Sequence, residues 1–357
     1  MNSVVFPDAD HGYAVGDLGT IYKTINGGLN WTRSSGGVYG SLKSVYFTDA
    51  VNGYVAGAAG AIFKTTNGGT SWTKLTTGTT VPLSSVCFTN GSNGYAVGGH
   101  PQTSGGIILK TVDGGGNWTQ NTQTSYDYSL TSVCFPDLNT GYAAGYSTND
   151  NKGVVFKTTD AGASWNLCLS GASHQFYSIS FVDPNIGYVA GYLGIIKKTM
   201  NGGSTWSIVP VGSSDILNAV FFLDTNHGYV VEEGGSILKT INGGNSWIND
   251  SSGTNNWLKS IFFSDSITGY AVGMSGTILN KGKDIGVLIR EYKPPAEEFS
   301  LHPNPAVDKI TICTELSGNS DINITIFNMC GKQVLSKKSK IKIVLNCRSI
   351  NSLKAFI

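Results

Sequence analysis

The chain has 357 residues, of which only 13% are charged, and its formal net charge is +1. This nearly neutral, polar composition does not favour nucleic acid or an anionic membrane as a partner, and no apolar run approaches the roughly 18 to 20 residues that span a bilayer. The opening residues, MNSVVFPDAD, have neither the charged start nor the apolar core of a secretion signal.

A repeat starts at the beginning of the chain and continues to about residue 283. Its first landmark is Gly-Tyr followed by small apolar residues, which occurs seven times at intervals of 41, 41, 47, 46, 41 and 41 residues. Its second landmark is an octet that occurs six times: TINGGLNW (24–31), TTNGGTSW (65–72), TVDGGGNW (111–118), TTDAGASW (158–165), TMNGGSTW (199–206) and TINGGNSW (240–247). A fixed period of this length indicates a repeat architecture.

One unit contains four short strand-like runs separated by Gly, Asn and Asp turn signals: SVYF (44–47), GYVAG (53–57), AIFK (61–64) and SWTK (71–74). Each unit is therefore predicted to be a four-stranded antiparallel meander. A single meander cannot bury both faces, whereas several arranged radially around a channel form a β-propeller. Seven Gly-Tyr landmarks predict an all-β, seven-bladed propeller in which the Phe of the first strand and the Trp of the fourth pack between neighbouring sheets.

The octet resembles the Asp-box, or BNR repeat, and the whole unit resembles the photosystem II assembly and stability factor family of propellers, over about four fifths of the chain. Local chemistry explains the octet as a turn, because Asn or Asp turns the backbone, Gly supplies positive φ and Trp anchors the hairpin. The structural box residues are Asn26, Trp31, Asn67, Trp72, Asp113, Trp118, Asp160, Trp165, Asn201, Trp206, Asn242 and Trp247. Only two boxes carry a carboxylate, which counts against a metal loop. No CxxC pair is present, and we expect neither a metal nor a cofactor.

The seventh unit departs from the pattern. GTILNKGKD (276–284) provides a third strand but no Trp-bearing box. Two explanations are open: either GVLIREY (286–292) supplies the fourth strand, or a strand upstream of this chain closes the ring. We favour the upstream strand and place the propeller, with its last blade incomplete, at 1–284.

A linker at 285–298 precedes a segment of different composition at 299–357. This segment resembles the C-terminal sorting domain of the type IX secretion system, with Pro303, Asn304 and Pro305 matching one hallmark and Gly331 and Lys332 another. The resemblance implies a small β-sandwich-like domain that contacts the type IX machinery and directs the protein outside the cell or to the outer-membrane surface. A terminal Gly-x-Tyr strand is absent, which predicts an incomplete end.

The two longer repeats place their extra residues in one kind of loop. The interval from Gly-Tyr to the Lys of the third strand is 10 residues in four blades but 15 in the third and fourth. Because strands alternate in direction, these insertions lie on the face without Asp-boxes, here called the non-box face. Connectors on this face carry the candidate ligand-binding residues Tyr126, Tyr128, His174, Phe176, Tyr177 and Trp257, with Glu233. Aromatic rings with polar tips suit sugar or peptide recognition, although several of these rings are expected only to cap their blades.

One internal deviation concerns carboxylates. The residue that ends the second strand is Gly in six repeats but Glu232 in the sixth, and Glu233 follows it. Glu232 and Asp17 are the weak candidates for a catalytic pair, since a glycosidase needs two carboxylates about 5 to 9.5 Å apart. A solvated loop glutamate is the simpler interpretation. Sialidase activity is nearly excluded, because Arg33 follows a box, Arg290 lies in the linker and Arg348 lies in the tail, so the three are not expected to converge on a substrate carboxylate in the channel.

The sequence therefore predicts a non-catalytic propeller, secreted or on the cell surface, that acts as a monomeric binding scaffold for a glycan or a protein. A glycoside hydrolase acting on a neutral polysaccharide is the first alternative. An assembly factor of the photosystem II type is the second, and it follows from the family resemblance alone.

Overall fold

The computed structural model describes residues 1–34, 37–100, 104–121 and 127–281, and the backbone of seven further strands between 289 and 356. The chain divides into two compact units, Met1–Tyr292 and Lys293–Ile357. The first unit thus extends beyond residue 284, where the repeat pattern places the end of the propeller. Within the described residues, no helix has the length and apolar character needed to cross a membrane.

The first unit is a seven-bladed β-propeller, as predicted, and each blade is an antiparallel sheet of four strands in chain order. The first four blades contain β1 Ser3–Val5, β2 Gly12–Val15, β3 Ile21–Thr24 and β4 Thr32–Arg33; β5 Leu42–Phe47, β6 Gly53–Gly57, β7 Ile62–Thr65 and β8 Thr73–Leu75; β9 Leu83–Phe88, β10 Gly94–His100, β11 Ser104–Thr111 and β12 Thr119–Gln120; β13 Tyr128–Cys134, β14 Gly141–Ser147, β15 Gly153–Thr158 and β16 Asn166–Ala172.

The last three blades contain β17 Phe176–Phe181, β18 Gly187–Gly191, β19 Ile196–Thr199 and β20 Ser207–Ile208; β21 Leu217–Phe222, β22 Gly228–Glu232, β23 Ile237–Thr240 and β24 Ile248–Asp250; β25 Leu258–Phe263, β26 Gly269–Gly273, β27 Ile278–Lys281 and β28 Ile289–Tyr292. Short 3-10 helices follow the second strand of blades two, five and seven, at Ala58–Gly60, Tyr192–Gly194 and Met274–Gly276.

The first strands of neighbouring blades contact one another in a closed ring, in which β25 also contacts β1. The second strands are buried over their first four residues or more, as in Gly53–Gly57, because both faces pack against adjacent blades. Fourth strands are mostly exposed and polar. Cys87 lies in this inter-blade core and is free, as are Cys134 and Cys168.

A phenylalanine at the end of each first strand joins two blades. The ring of Phe47 stacks on Tyr13 of the preceding blade, with centroids 3.8 Å apart, and contacts the edge of Trp72 at 6.1 Å. A Cβ atom at Gly53 would lie 2.4 Å from the same ring, so the Gly of the Gly-Tyr pair makes room for it. Equivalent stacks occur at every blade junction: Tyr54–Phe88, Tyr95–Phe135, Tyr142–Phe181, Tyr188–Phe222, Tyr229–Phe263 and Tyr270–Phe6.

The Asp-box is a turn closed by its own side chains. Thr65 Oγ1 donates to Asn67 Oδ1 at 2.9 Å and accepts from the Gly69 amide at 2.9 Å, while Asn67 Oδ1 also accepts from the Ser71 amide at 3.0 Å. Asp113 makes the same contacts through Oδ1. Hydrogen bonds from the Asn117 backbone, the Asn117 side chain and Thr111 lower the pKa of Asp113 to about 2. An amide oxygen and a carboxylate oxygen therefore serve equally well at this position.

Each box is also bonded on two sides. The Gly68 amide donates to Val51 O in the loop between the first two strands of its own blade, at 2.9 Å. Its carbonyl accepts from Tyr13 Oη at 3.0 Å and from Lys23 Nζ at 2.7 Å, both in the preceding blade. The boxes and the loops between first and second strands thus share one face of the propeller, as the alternation of strands predicts.

A second set of inter-blade bonds runs along the first strands. Ser44 Oγ accepts from the Val86 amide at 3.1 Å, and Ser260 Oγ accepts from the Val4 amide at 3.4 Å, which links the seventh blade to the first. Six blades place a serine at this position: Ser3, Ser44, Ser85, Ser132, Ser178 and Ser260. The sixth blade has Ala219, which offers no hydroxyl to the amide of Ile261.

The seventh blade takes its fourth strand from Ile289–Tyr292, which pairs with Ile278–Lys281. The expectation that an upstream strand closes the ring is therefore wrong, and the segment GVLIREY (286–292) supplies the fourth strand instead. This nearby segment already pairs with the backbone groups on the outer edge of the third strand. The register puts Ile289 where blade six has Trp247. A cavity of about 20 Å³ lies between blades six and seven beside Phe263, next to the Lys281–Asp250 ion pair at 2.6 Å.

The second unit contains two three-stranded antiparallel sheets. One has the order β29-β30-β33 and the other β32-β31-β34. Their strands are β29 Ser300–His302, β30 Lys309–Cys313, β31 Ile322–Phe327, β32 Gln333–Ser339, β33 Ile343–Asn346 and β34 Lys354–Phe356. The predicted sorting-motif residues Pro303, Asn304, Pro305, Gly331 and Lys332 lie outside the described residues.

The serine bonds can be tested in both directions. Ser44→Ala leaves the Val86 amide without its acceptor and should lower the free energy of unfolding by about 1 to 3 kcal/mol. Ala219→Ser supplies the hydroxyl that the sixth blade lacks and should raise the unfolding midpoint. Tryptophan fluorescence during thermal unfolding measures both, since all seven Trp residues lie in the first unit. An unchanged midpoint for Ser44→Ala would show that these bonds do not hold the blades together.

Candidate functional site

The first strand of each blade from two to seven contains a bulge near its start. In blade two, Leu42 pairs with Gly57 and Ser44 with Ala56, so Lys43 is left between them. A bulge redirects the side chain of the unpaired residue. The bulged residues are Lys43, Ser84, Thr131, Tyr177, Asn218 and Lys259, and Asn2 holds the matching position in blade one. Together these seven residues are called the channel rim, because the first strands line the channel and begin on the non-box face.

The channel rim is held by bonds between neighbouring blades. Asn2 Nδ2 donates to Leu42 O at 2.7 Å, and Asn218 Nδ2 donates to Leu258 O at 2.7 Å. Thr131 Oγ1 donates to Phe176 O, the equivalent carbonyl of the next blade, at 3.0 Å. These polar side chains are therefore fixed around the channel mouth. Their signal in the sequence is a polar residue that follows a buried Leu or Phe and precedes the position of the inter-blade serine, which blade six fills with Ala219. This polar residue breaks the alternation of the strand.

The two lysines of the rim are each paired with an acid. Lys43 Nζ lies 3.3 Å from Asp17, and Lys259 Nζ lies 3.5 Å from Glu233. Lys259 Nζ also lies 4.9 Å from the ring centre of Trp257, a cation–π contact. The rest of the rim is uncharged, so the channel mouth presents polar groups with little net charge.

Glu232 occupies a position that the other blades reserve for glycine. A Cβ atom at Gly57 would lie 2.1 Å from Ser41 O, and one at Gly191 would lie 1.9 Å from Gln175 O. Blade six follows Glu232 with a loop in which Gly234 and Gly235 both have positive φ, of 92° and 86°. This turn of two glycines takes the place of the 3-10 helix of blades two, five and seven. It is found in the blade where Glu232 replaces the smaller glycine.

The expectation of a solvated loop glutamate is wrong for Glu232, because this residue ends a buried strand and only 3% of it is exposed. Burial raises the pKa of Glu232, and the nearby Asp215 raises it further, while hydrogen bonds from Ser213 and Ser236 lower it. Oε1 of Glu232 has no hydrogen-bond partner within the described residues. A carboxyl group in this setting holds its proton more firmly than a solvated carboxyl group does.

Asp17 has different surroundings. Its carboxylate is exposed and accepts hydrogen bonds from Ser41 and from Asn2, the latter at 3.1 Å. The Ser41 bond is the main cause of its lowered pKa. Among the described residues, Asp17 and Glu232 share no hydrogen-bond partner, and the carboxylate that acts on Glu232 is Asp215. Sequence reasoning missed Asp215 because the connector that carries it has no repeat position.

The predicted aromatic residues fall into two groups. Phe176 has no exposed surface and lies in the core, and Tyr128 packs edge-on against Phe156 at 5.1 Å, so these two cap their blades. Trp257 is 42% exposed, and the half-buried Tyr177 donates through Oη to Gln175 Oε1 at 2.6 Å. His174 is half-buried on the same face, and Tyr126 lies outside the described residues. The described part of the chain contains no cluster of three or more metal-ligating side chains.

Comparison with known families supports both halves of the sequence analysis. The family model for photosynthesis system II assembly factor YCF48 matches residues 1–84. The family model for the secretion system C-terminal sorting domain matches residues 300–353. Both resemblances are thereby confirmed. No curated protein has a sequence that matches this chain significantly.

Several solved structures share the fold. YCF48 bound to D1 peptide is 19% identical and has a TM-score of 0.65, with 79% of this chain and 91% of that chain covered. YCF48 from Cyanidioschyzon merolae is 22% identical with a TM-score of 0.63, covering 78% and 94%. The GH74 xyloglucanase from Xanthomonas campestris is 13% identical with a TM-score of 0.67, covering 87% of this chain but 57% of that one. At these identities the likeness establishes the propeller fold.

Glu232 should make stability depend on pH. Its raised pKa means that, above pH 4.5, the unfolded chain loses a proton that the native protein retains, so stability falls as pH rises through this window. Glu232→Gln cannot ionise and should therefore unfold at a higher temperature than the wild type at pH 7, with a smaller difference at pH 4. Thermal unfolding followed by tryptophan fluorescence measures this. Glu233→Gln is the matched control, and a lower midpoint for Glu232→Gln at pH 7 would contradict the assignment.

Proposed function

We propose that the chain is a non-catalytic binding module, secreted or held at the cell surface, whose non-box face binds a glycan or a protein ligand. The observation that carries this proposal is the channel rim. Six bulges direct polar side chains to one mouth of the channel, and bonds between blades hold Thr131 and Asn218 among them. The opposite face is occupied by box turns whose polar groups already bond to the protein itself.

The chemistry of the non-box face suits a neutral polar ligand. Trp257 offers an exposed ring beside Lys259, and the hydroxyl and amide groups of the rim offer donors and acceptors. The lysine charges are balanced by Asp17 and Glu233. Exposed aromatic rings among fixed polar groups are typical of recognition sites.

The comparisons add two kinds of support. A protein of this fold, YCF48, is known with a bound D1 peptide, and the sorting-domain match at 300–353 favours export through the type IX machinery. An assembly role of the photosystem II type is supported by the family match at 1–84 but by no feature of the rim.

A glycoside hydrolase is the second candidate, favoured by the raised pKa of Glu232 and by the fold likeness to a GH74 xyloglucanase. A raised pKa suits a general acid. The burial of Glu232 and the hydrogen bonds that occupy Asp17 favour the non-catalytic function instead. Neutral-polysaccharide hydrolysis that Glu232→Gln abolishes would establish the enzyme.

Binding can be measured with the full chain on a neutral-glycan array and a random peptide library. Trp257→Ala removes the exposed ring and should weaken binding of the retained ligand by about fivefold or more. Ile25→Ala is the matched control, because Ile25 is an exposed apolar residue in a box on the opposite face. Failure to retain any ligand, or equal loss in both variants, would contradict the proposal.

A further inference from the structure

A cavity of about 420 Å³ opens on the non-box face between blades four and five. Its volume is in the range of small-molecule sites. Two of its walls come from the insertion in blade four and from the connector that follows, and the third comes from the 3-10 helix of blade five. The lining residues are Asp150, Asn151, Ser173, His174, Gln175 and Tyr192.

The insertion in blade four is a tight loop that fixes Asn151. The Ser147 amide donates to Lys152 O at 2.8 Å, and the Asn151 amide donates to Ser147 O at 3.0 Å. Asn151 has a φ of 57°, a left-handed conformation that asparagine tolerates better than most residues. The loop thus holds a side-chain amide at the cavity wall.

A chain of bonds connects this amide to the channel rim. Tyr177 Oη donates to Gln175 Oε1 at 2.6 Å, and Gln175 Nε2 donates to Asn151 Oδ1 at 3.0 Å. This arrangement uses one of the two Nε2 hydrogens of Gln175. Within the described residues, Asn151 Nδ2 makes no hydrogen bond to protein. Oriented N–H donors therefore remain for a ligand in the cavity.

Asp150 supplies acceptors at the same wall. Hydrogen bonds from Ser147 and Lys152 lower the pKa of Asp150, so the carboxylate is ionised at neutral pH. Lys152 Nζ lies 3.1 Å from one carboxylate oxygen and offsets the charge. Each oxygen has a further lone pair for a hydroxyl donor.

Tyr192 supplies an apolar surface that the fold does not require. Tyr192 is 41% exposed, and its ring centroid lies 6.0 Å from that of His174. Tyr192 is the first residue of its 3-10 helix, and Ala58 and Met274 hold that position in blades two and seven. Since alanine serves in the same turn, the aromatic ring is not explained by folding.

We propose that this cavity is a saccharide subsite that binds one neutral sugar unit of a glycan. The C–H face of the sugar ring packs on Tyr192, and adjacent hydroxyls donate to Asp150 and accept from the amides of Asn151 and Gln175. An uncharged ligand fits because Lys152, which lies outside the lining, offsets the charge of Asp150. The inference rests on the proposed function and assigns the glycan to a defined position on the non-box face.

The experiment measures binding of the full chain to an array of neutral oligosaccharides of two to six sugar units. Tyr192→Ala and Asn151→Gly should each weaken binding of the retained oligosaccharide by about fivefold or more. Asn151→Gly keeps the left-handed backbone and removes the side-chain amide together with its bond to Gln175. Met274→Ala is the matched control, since it also truncates to alanine an exposed side chain at the first position of a 3-10 helix, in blade seven, and it should bind as the wild type does.

The outcomes separate this proposal from the broader one. Oligosaccharide binding that is weakened by both cavity variants and not by Met274→Ala supports the subsite. Binding that is lost in Trp257→Ala but unchanged in Tyr192→Ala and Asn151→Gly overturns the subsite and leaves the binding function standing. A chain that retains a peptide and no oligosaccharide also overturns the subsite. No ligand of either class overturns both proposals.

Discussion

The phenylalanine that ends each first strand is the contact on which the propeller depends. Phe47 lies over Gly53 of its own blade, stacks on Tyr13 of the blade before and meets the edge of Trp72. Aromatic pairs of this kind contribute about 0.5 to 1.5 kcal/mol beyond the area that they bury. The two residues of the Gly-Tyr landmark serve different blades. The Gly makes room for the Phe of its own blade, and the Tyr stacks on the Phe of the next blade. The stack of Tyr270 on Phe6, at 3.6 Å, closes the ring.

The repeat allowed the blade number, the strand order and the Phe and Trp packing to be predicted, because each depends on residues that recur at a fixed period. The bulges were not predicted, since their signal is a single polar residue such as Lys43 within an otherwise regular strand. The fourth strand of blade seven was assigned to the wrong alternative because IREY lacks the tryptophan that marks the other fourth strands. Asp215, the carboxylate near Glu232, was missed because it lies in a connector between blades. The repeat does not predict the conformation of the connectors.

Blades three and four depart from the repeat by their loop insertions, and the sixth and seventh blades depart from it at single positions and at the box. Ala219 removes a serine bond, Glu232 replaces a glycine, and the seventh box is absent beside a cavity of about 20 Å³. The same two blades provide Glu233, Trp257 and Lys259 to the non-box face. The sixth and seventh blades thus combine departures from the repeat with part of the chemistry at the channel mouth, in line with the expectation that functional sites depart from local rules.

The central claim is that the boxes stabilise the ring and the opposite face binds the ligand. Hydrogen–deuterium exchange of the full chain, with and without a retained glycan or peptide, tests it most directly. We predict slower exchange in the blade-four loop at 147–152, the connector at 173–177 and the segment at 257–259, and no change in the six boxes. Protection confined to the boxes would contradict the account.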